Sequence, residues 1–276
     1  MAGSGSAVGR RNRAERWLLA AVGMLLVVFL ALPLIGLSAS VSWSDFVAGL
    51  GHPLVAQALR LSLFTTTTSL AIVVTLGLPL AWTLARGTGR GLRALEIVVD
   101  LPIVIPPAVA GVAMLLAFGR RGLFAGWLYP EGWSAAFTTQ AVIMAEVFVS
   151  APFFVQAAVS AFRRVDDNLL IVARTFGASP LRVFFRIALP LAAPGLVTGA
   201  IMSWARSLGE FGATLMFAGN LQGKTQTLPL AIYTALESDL RVAQALSMLL
   251  MLVAFGLLLA LRALGRSSAD APGSAP

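Results

Sequence analysis

Six long stretches of the chain are almost free of charged residues. Four are uninterrupted, and the other two contain only Glu146 and the pair Arg206 and Glu210. Each stretch is as long as the 18 to 20 apolar residues that a helix needs to cross a bilayer. The pattern predicts an all-α polytopic membrane protein whose six transmembrane helices lie at about residues 17–37, 56–85, 98–119, 136–162, 187–217 and 241–262.

The composition supports this interpretation and excludes other classes of protein. Hydrophobic residues make up 58% of the chain and charged residues 12%, with a mean hydropathy of +0.87, whereas a soluble domain has about 25% charged residues. Disorder of the whole chain is excluded because it requires low hydrophobicity. Cysteine is absent and His52 is the one histidine, so disulfides, thiolate metal sites and cysteine nucleophiles are excluded.

The arginines predict the orientation of the chain. Fourteen of the 20 basic residues fall on one side of a six-span topology, and the basic side of a membrane protein faces the cytoplasm. Both termini are then cytoplasmic, with an N-terminal tail at 1–16, a transmembrane domain at 17–262 and a disordered tail at 263–276. A cleaved signal peptide is the alternative for the first stretch, but its apolar core spans only 7 to 15 residues. The basic residues that mark the cytoplasmic side also account for the net charge of +8, so nucleic-acid binding is not needed to explain it.

The predicted cytoplasmic loop at 163–186 has the signals of two short helices. Residues 166–168 are Asp-Asp-Asn and favour a helix start, and Gly177 favours its end. Ser179 followed by Pro180 then predicts a second helix start.

The first of these helices carries apolar residues at helical spacing: Leu169, Leu170, Val172, Ala173 and Phe176. An amphipathic helix of this kind can dock into the groove of a partner protein. It can equally lie on anionic membrane lipid through its flanking arginines. Spacing alone leaves both alternatives open.

The loop resembles the signature loop of binding-protein-dependent ABC importer permeases, E-A-A-x3-G-x9-I-x-L-P. Ala173 and Gly177 fit the first part, residues 187–190 fit the ending, and Ile171 and Val172 replace the first Glu and Ala. The acidic contact that the family often offers its ATPase is therefore missing. The resemblance implies that the loop couples to a cytoplasmic ATPase dimer through Leu169, Val172, Ala173, Arg174, Phe176, Gly177, Ala178 and Ser179.

Three other stretches closely resemble the molybdate/tungstate importer permeases: DLPIVIPPAVAGVAMLLAFGRRGLFA (100–125), ARSLGEFGATLMFAGN (205–220) and TQTLPLAIYTALES (225–238). Sulfate permeases share the LGEFGA core, so a sulfate/thiosulfate importer is the alternative, and the GRRG motif at 119–122 favours molybdate. The resemblance implies a type I ABC importer permease fold, a homodimer in the bacterial inner membrane, a periplasmic or lipoprotein oxyanion-binding protein, and translocation by alternating access.

The chain contains no G-x-x-x-x-G-K-[ST] motif, so it is not expected to hydrolyse ATP itself. It is predicted to be a transport subunit with no catalytic or metal site and no cofactor of its own, while ATP and magnesium bind the partner ATPase. An intramembrane enzyme would need a nucleophile–base pair or metal ligands, which this sequence does not offer. A channel or ATP-independent carrier would not need the docking loop.

Arg206 and Glu210 are four residues apart inside the fifth predicted span, so a helix would place them on one face. Charges within a bilayer are costly and suggest function. We predict that this pair, with Gly209 and Gly212 beside it, forms the outer gate of an anion path. The alternative is that the two charges only neutralise each other and hold the helix in place.

Other residues of the spans have both functional and structural interpretations. Gly195 and Gly199 allow close helix approach, at a subunit interface or within one bundle. The prolines at 102, 106 and 107 predict a distorted third span. Glu146 is expected to face the bundle interior with hydrogen bonds, and the threonines at 65–68 either line the path or bond to their own helix.

Overall fold

The computed structural model describes residues 4–128 and 134–269, and thirteen α-helices occupy most of these two ranges. The helices are α1 (Ser4–Ser40), α2 (Trp43–Leu50), α3 (Pro53–Arg86), α4 (Arg90–Val104), α5 (Pro107–Phe118), α6 (Ala125–Leu128), α7 (Thr139–Arg163), α8 (Asp167–Thr175), α9 (Pro180–Val183), α10 (Leu189–Leu208), α11 (Gly212–Ala218), α12 (Leu228–Ser238) and α13 (Leu240–Ala269). A π-helical turn, Phe184–Ala188, joins α9 to α10.

Within the described ranges, five helices are long and apolar enough to cross a membrane. They are Leu19–Ser40, Pro53–Arg86, Thr139–Arg163, Pro180–Leu208 and Leu240–Ala260. The bent pair α4 and α5 gives a sixth when it is counted as one span. The predicted all-α fold is therefore confirmed, and five to six candidate spans within the described residues are consistent with the predicted six.

The third predicted span, 98–119, is broken into two helices, α4 and α5. The axes of α4 and α5 meet at 116°. Ile105 adopts an extended conformation with ψ 127°, as expected for a residue before proline. Pro106 caps α5 and Pro107 opens it, and neither can supply the N–H that would continue α4. The predicted distortion is confirmed, and it is larger than a kink.

The fifth span is also shorter than predicted, because the helix expected over 187–217 ends at Leu208. Gly209 terminates α10, and the chain turns through Glu210 and Phe211 before α11 begins. At the other end the Leu189 N–H donates to the carbonyl of Phe184. This five-residue spacing is the π-type bond of the turn before α10.

The terminal segments contain more helix than predicted. Helix α1 begins at Ser4, so the N-terminal tail is helical from that residue. Helix α13 continues to Ala269, and disorder over 263–269 is therefore a wrong prediction, because the helix of the last span continues without a break into this segment. Residues 1–3 and 270–276 lie outside the described residues.

Helices α3, α7 and α10 form the centre of the bundle. Small residues allow them to approach closely: a Cβ at Gly195 would lie 2.6 Å from the Cβ of Ala161, and one at Gly199 2.7 Å from the Cβ of Ala157. Gly77 similarly faces the ring of Phe154. Of the two interpretations of Gly195 and Gly199, packing within one bundle is therefore observed.

Candidate functional site

The predicted gate pair lies at the end of α10. An Arg206 guanidinium nitrogen is 2.8 Å from a carboxylate oxygen of Glu210. The Glu210 side chain is 1% exposed and that of Arg206 is 28% exposed. Arg206 belongs to the last turn of α10, but Glu210 follows the helix end. The pairing is confirmed, although both residues were predicted to lie within one helix.

Glu210 makes a second contact that the sequence did not predict. Its other carboxylate oxygen accepts a hydrogen bond of 2.8 Å from the Ala213 N–H in the first turn of α11. A carboxylate is favoured there because the first N–H groups of a helix lack partners within the helix. Glu210 therefore fixes the angle between α10 and α11.

The glycines beside Glu210 bring α11 against α5. A Cβ at Gly212 would lie 2.9 Å from the Pro107 side chain, and one at Gly111 would lie 2.6 Å from the Ala213 carbonyl oxygen. Gly209 terminates α10. The four predicted gate residues thus meet at one junction, which contacts the half of the broken span that follows the bend.

A second buried polar cluster lies between α3 and α7. The carboxylate oxygens of Glu146 accept hydrogen bonds of 2.8 Å each from the hydroxyls of Thr65 and Ser69. Glu146 is 1% exposed, so its predicted inward position is confirmed. Thr66 and Thr68 donate to carbonyls of their own helix, which confirms the structural interpretation for these two threonines.

This polar cluster extends to two further helices. The Trp204 indole N–H of α10 donates to the Thr66 hydroxyl at 3.0 Å. The Leu228 N–H, at the start of α12, donates to the Ser62 hydroxyl at 2.7 Å. Neither contact was predicted, because serine and tryptophan in an apolar stretch carry no periodic signal.

Replacing Glu146 with alanine is expected to destabilise the permease by about 2–4 kcal/mol, because it creates a cavity and removes the acceptor for two buried hydroxyls. Thermal unfolding of the purified protein measures the loss. Thr68→Ala is the control, since this half-buried residue lies outside the Glu146 cluster and donates only to its own helix, so that its loss should cost about 0.5 kcal/mol. Equal melting temperatures for the two variants would contradict the expectation.

The two helices predicted in the loop at 163–186 are present. Asp166 caps α8 by accepting from the Asn168 N–H at 2.9 Å. Gly177 follows α8 with φ +80°, a conformation that glycine adopts without strain. Ser179 caps α9 and Pro180 opens it. The predicted capping residues are therefore confirmed.

Helix α8 presents two different apolar surfaces. Leu170 is buried, and the half-buried Ala173 and Ala178 pack on the core of α3, α7 and α10. Leu169 and Val172 are about half exposed, and Phe176 is 87% exposed. Among the remaining predicted coupling residues, Arg174 and Ser179 are exposed and Gly177 ends the helix. The outer surface, defined by Leu169, Val172 and Phe176, is hereafter called the loop face.

Arg86 anchors the loop to α3. Its guanidinium donates to the carbonyls of Phe162 and Val165 at 2.7 and 2.9 Å and pairs with the carboxylate of Asp167. It also lies 5.2 Å from the centre of the Trp82 ring, within the range of a cation–π contact. From the sequence, Arg86 was only one of the fourteen basic residues that indicate the orientation of the chain. Its contacts hold the first residue of α8 against the end of α3.

Comparison with known proteins identifies the family. The family described as "Binding-protein-dependent transport system inner membrane component" matches residues 74–264, which is more than half of the chain. The chain belongs to this family. The membership predicted from the loop motif is confirmed, and the match includes the loop, the broken span and the Arg206–Glu210 junction.

Two relatives in this family and one solved structure illustrate the similarity. The molybdenum transport system permease protein ModB of Mycobacterium tuberculosis is 46% identical over 83% of this chain and 86% of its own length. The molybdate/tungstate transport system permease protein WtpB of Pyrococcus abyssi is 38% identical over 89% and 94%. The predicted resemblance to molybdate/tungstate permeases is thereby confirmed.

The structural neighbour shows the fold at lower sequence identity. A chain in the crystal structure of a bacterial alginate ABC transporter, in complex with alginate pentasaccharide-bound periplasmic protein, superposes with a TM-score of 0.73. It is 18% identical, over 95% of this chain and 96% of that chain. The importer permease fold is therefore established. Within residues 4–128 and 134–269, no group of three His, Asp or Glu side chains could hold a metal ion.

Proposed function

We propose that the chain is the membrane-spanning permease subunit of an ATP-driven, binding-protein-dependent importer of molybdate or tungstate. The observation that carries the proposal is the loop face, an exposed apolar surface on a capped and anchored helix, in a chain that is 46% identical to a molybdenum permease over most of its length. An amphipathic loop helix that leaves Phe176 uncovered is suited to docking into the groove of a partner protein.

In this proposal the loop face docks into a cytoplasmic ABC ATPase dimer that binds ATP and magnesium. Leu169, Val172 and Phe176 contribute the apolar contact, and Arg174 a polar one. The buried side of α8 transmits displacement to the bundle through Leu170. Both termini then lie in the cytoplasm, and the opposite end of the bundle receives an oxyanion-binding protein.

A second copy of the chain completes the pathway in a homodimer, surrounded by membrane lipid. ATP closes the ATPase dimer, the two loop helices move together and the spans open outward to receive the anion. Hydrolysis then returns the path to its inward-open state. The junction of Arg206, Gly209, Glu210 and Gly212 serves as the outer gate, where Arg206 is the one basic residue of the fifth predicted span and can attract the anion.

Uptake competition in proteoliposomes that contain the permease, its ATPase and its binding protein tests the proposal. We expect ATP-dependent uptake of radiolabelled molybdate that excess tungstate inhibits and equimolar sulfate does not. Sulfate that competes as well as molybdate would assign the alternative sulfate/thiosulfate importer. Uptake that continues with an inactive ATPase would indicate a channel or carrier instead.

A further inference from the structure

Helix α4, the first half of the broken span, is only loosely packed against the bundle. All fifteen of its residues are described, and none of them is buried. A groove of about 440 Å³ separates α4 from α7, although Leu92 and Val99 touch the core at its edge. Apolar packing therefore holds α4 less firmly than α3, α7 and α10, each of which has buried residues.

Two polar contacts bridge this groove. The guanidinium of Arg163 pairs with the carboxylate of Glu96, and the Gln156 amide N–H donates to the Asp100 carboxylate at 2.8 Å. Glu96 and Asp100 are four residues apart, and so they lie on one face of α4. We call these two contacts the α4–α7 bridges.

The α4–α7 bridges connect the broken span to the base of the loop. Arg163 is the last residue of α7, three residues before the cap of α8. At its other end α4 leads through the 116° bend into α5. Gly111 of α5 touches Ala213 of α11, whose N–H donates to Glu210. The broken span is thus joined at one end to the base of the loop and at the other to the Arg206–Glu210 junction.

We propose that the α4–α7 bridges act as a strut that makes α4 move with the base of the loop, so that Glu96 and Arg163 are positioning residues for coupling. Displacement of α8 then turns the broken span and changes the α5–α11 contact. This inference rests on the proposed function, since it assumes that a partner moves α8. Contacts that connect two sites do not by themselves show that the sites are coupled, so the coupling is tested directly.

Charge reversal provides that test in the complete complex of permease, ATPase and binding protein. The Glu96 and Arg163 side chains are 36% and 54% exposed, and so exposed a pair adds little to stability. We expect Glu96→Arg and Arg163→Glu to assemble and hydrolyse ATP normally, but to import about tenfold less molybdate per ATP. The double exchange Glu96→Arg with Arg163→Glu should restore the ratio to near its wild-type value.

Arg90→Glu is the matched control, because it reverses a charge in the first turn of the same helix outside the α4–α7 bridges. Its transport ratio should remain at the wild-type value. The strut is refuted if the single reversals keep that ratio, or if the double exchange assembles and hydrolyses ATP yet fails to recover it.

A covalent bridge gives a second readout. Asp100→Cys with Gln156→Cys introduces two thiols into a chain that contains no cysteine. A short thiol-specific bifunctional reagent then joins them, because the Asp100 and Gln156 side chains together span more than a disulfide can. A strut stays closed throughout the cycle, so the cross-linked permease should transport normally and should restore transport in the Glu96→Arg background. Blocked transport on cross-linking would overturn the strut, since it would mean that α4 and α7 must separate.

The same experiments separate this inference from the proposed function. If the wild-type complex imports another anion, the transport ratio is measured with that anion and the strut is tested unchanged. If the complex hydrolyses ATP without importing any oxyanion, the proposed function fails. The cross-linking yield with and without ATP then tests the strut: equal yields support it, and a yield that falls in one nucleotide state refutes it.

Discussion

Replacing Glu210 with alanine is expected to abolish ATP-driven oxyanion uptake and to destabilise the permease. The change removes the ion pair with Arg206 and the acceptor for the Ala213 N–H at once. Removing one partner of a buried ion pair costs about 3–5 kcal/mol, because the other charge stays behind without compensation. If the loss of about 3 kcal/mol falls on the outward-open state alone, the population of that state, and with it the uptake rate, decreases roughly a hundredfold.

Uptake, ATP hydrolysis and thermal unfolding are measured on the same preparation of each variant. Glu210→Gln separates the two roles of the side chain, since it keeps an acceptor for Ala213 but removes the charge. Glu237→Ala is the control, an exposed carboxylate of α12. Wild-type uptake and ATPase coupling in Glu210→Ala or Arg206→Gln would show that the junction is not a gate.

The spans and their interruptions differ in how far the sequence predicts them. The number of spans follows from runs of uncharged residues, whose length the bilayer sets. Hydropathy does not report where the backbone turns, and so the turn at Gly209 to Phe211 was not predicted within the fifth apolar stretch. The prolines at 106 and 107 predicted a distortion, but the 116° angle depends on how α5 packs against α11.

The candidate site likewise contains features that the local sequence predicts and features that depend on distant contacts. The helices of the loop were predictable because Asp166, Gly177 and Ser179 act on their own neighbours. The anchoring role of Arg86 was not, since its partner Asp167 lies 81 residues away in the sequence. The pairing of Arg206 with Glu210 was found by helical spacing although Glu210 is outside the helix, because a turn that continues directly from a helix end preserves short separations.

Replacing Phe176 with aspartate is expected to release the ATPase from the permease while leaving the bundle folded. Phe176 is 87% exposed and caps the end of α8 through its backbone N–H, which bonds to the Val172 carbonyl at 3.1 Å. That bond does not involve the side chain, so the substitution should spare the loop structure. At an interface, losing a central aromatic anchor typically costs about 2 kcal/mol or more, roughly thirtyfold in affinity, and a buried unpaired carboxylate adds to that cost.

Co-purification of the ATPase and its affinity for the reconstituted permease measure the effect, and thermal unfolding checks the fold. Phe176→Leu keeps an apolar side chain and serves as the matched control, with binding close to wild type. Leu170→Ala should behave in the opposite way, because its buried side chain supports α8 from within: it lowers thermal stability first and ATPase affinity only through the disturbed loop. Undiminished ATPase binding by Phe176→Asp would show that the loop face is not the docking surface. It would favour the alternative in which α8 lies on membrane lipid. In that case the new carboxylate would weaken the contact of α8 with anionic headgroups instead.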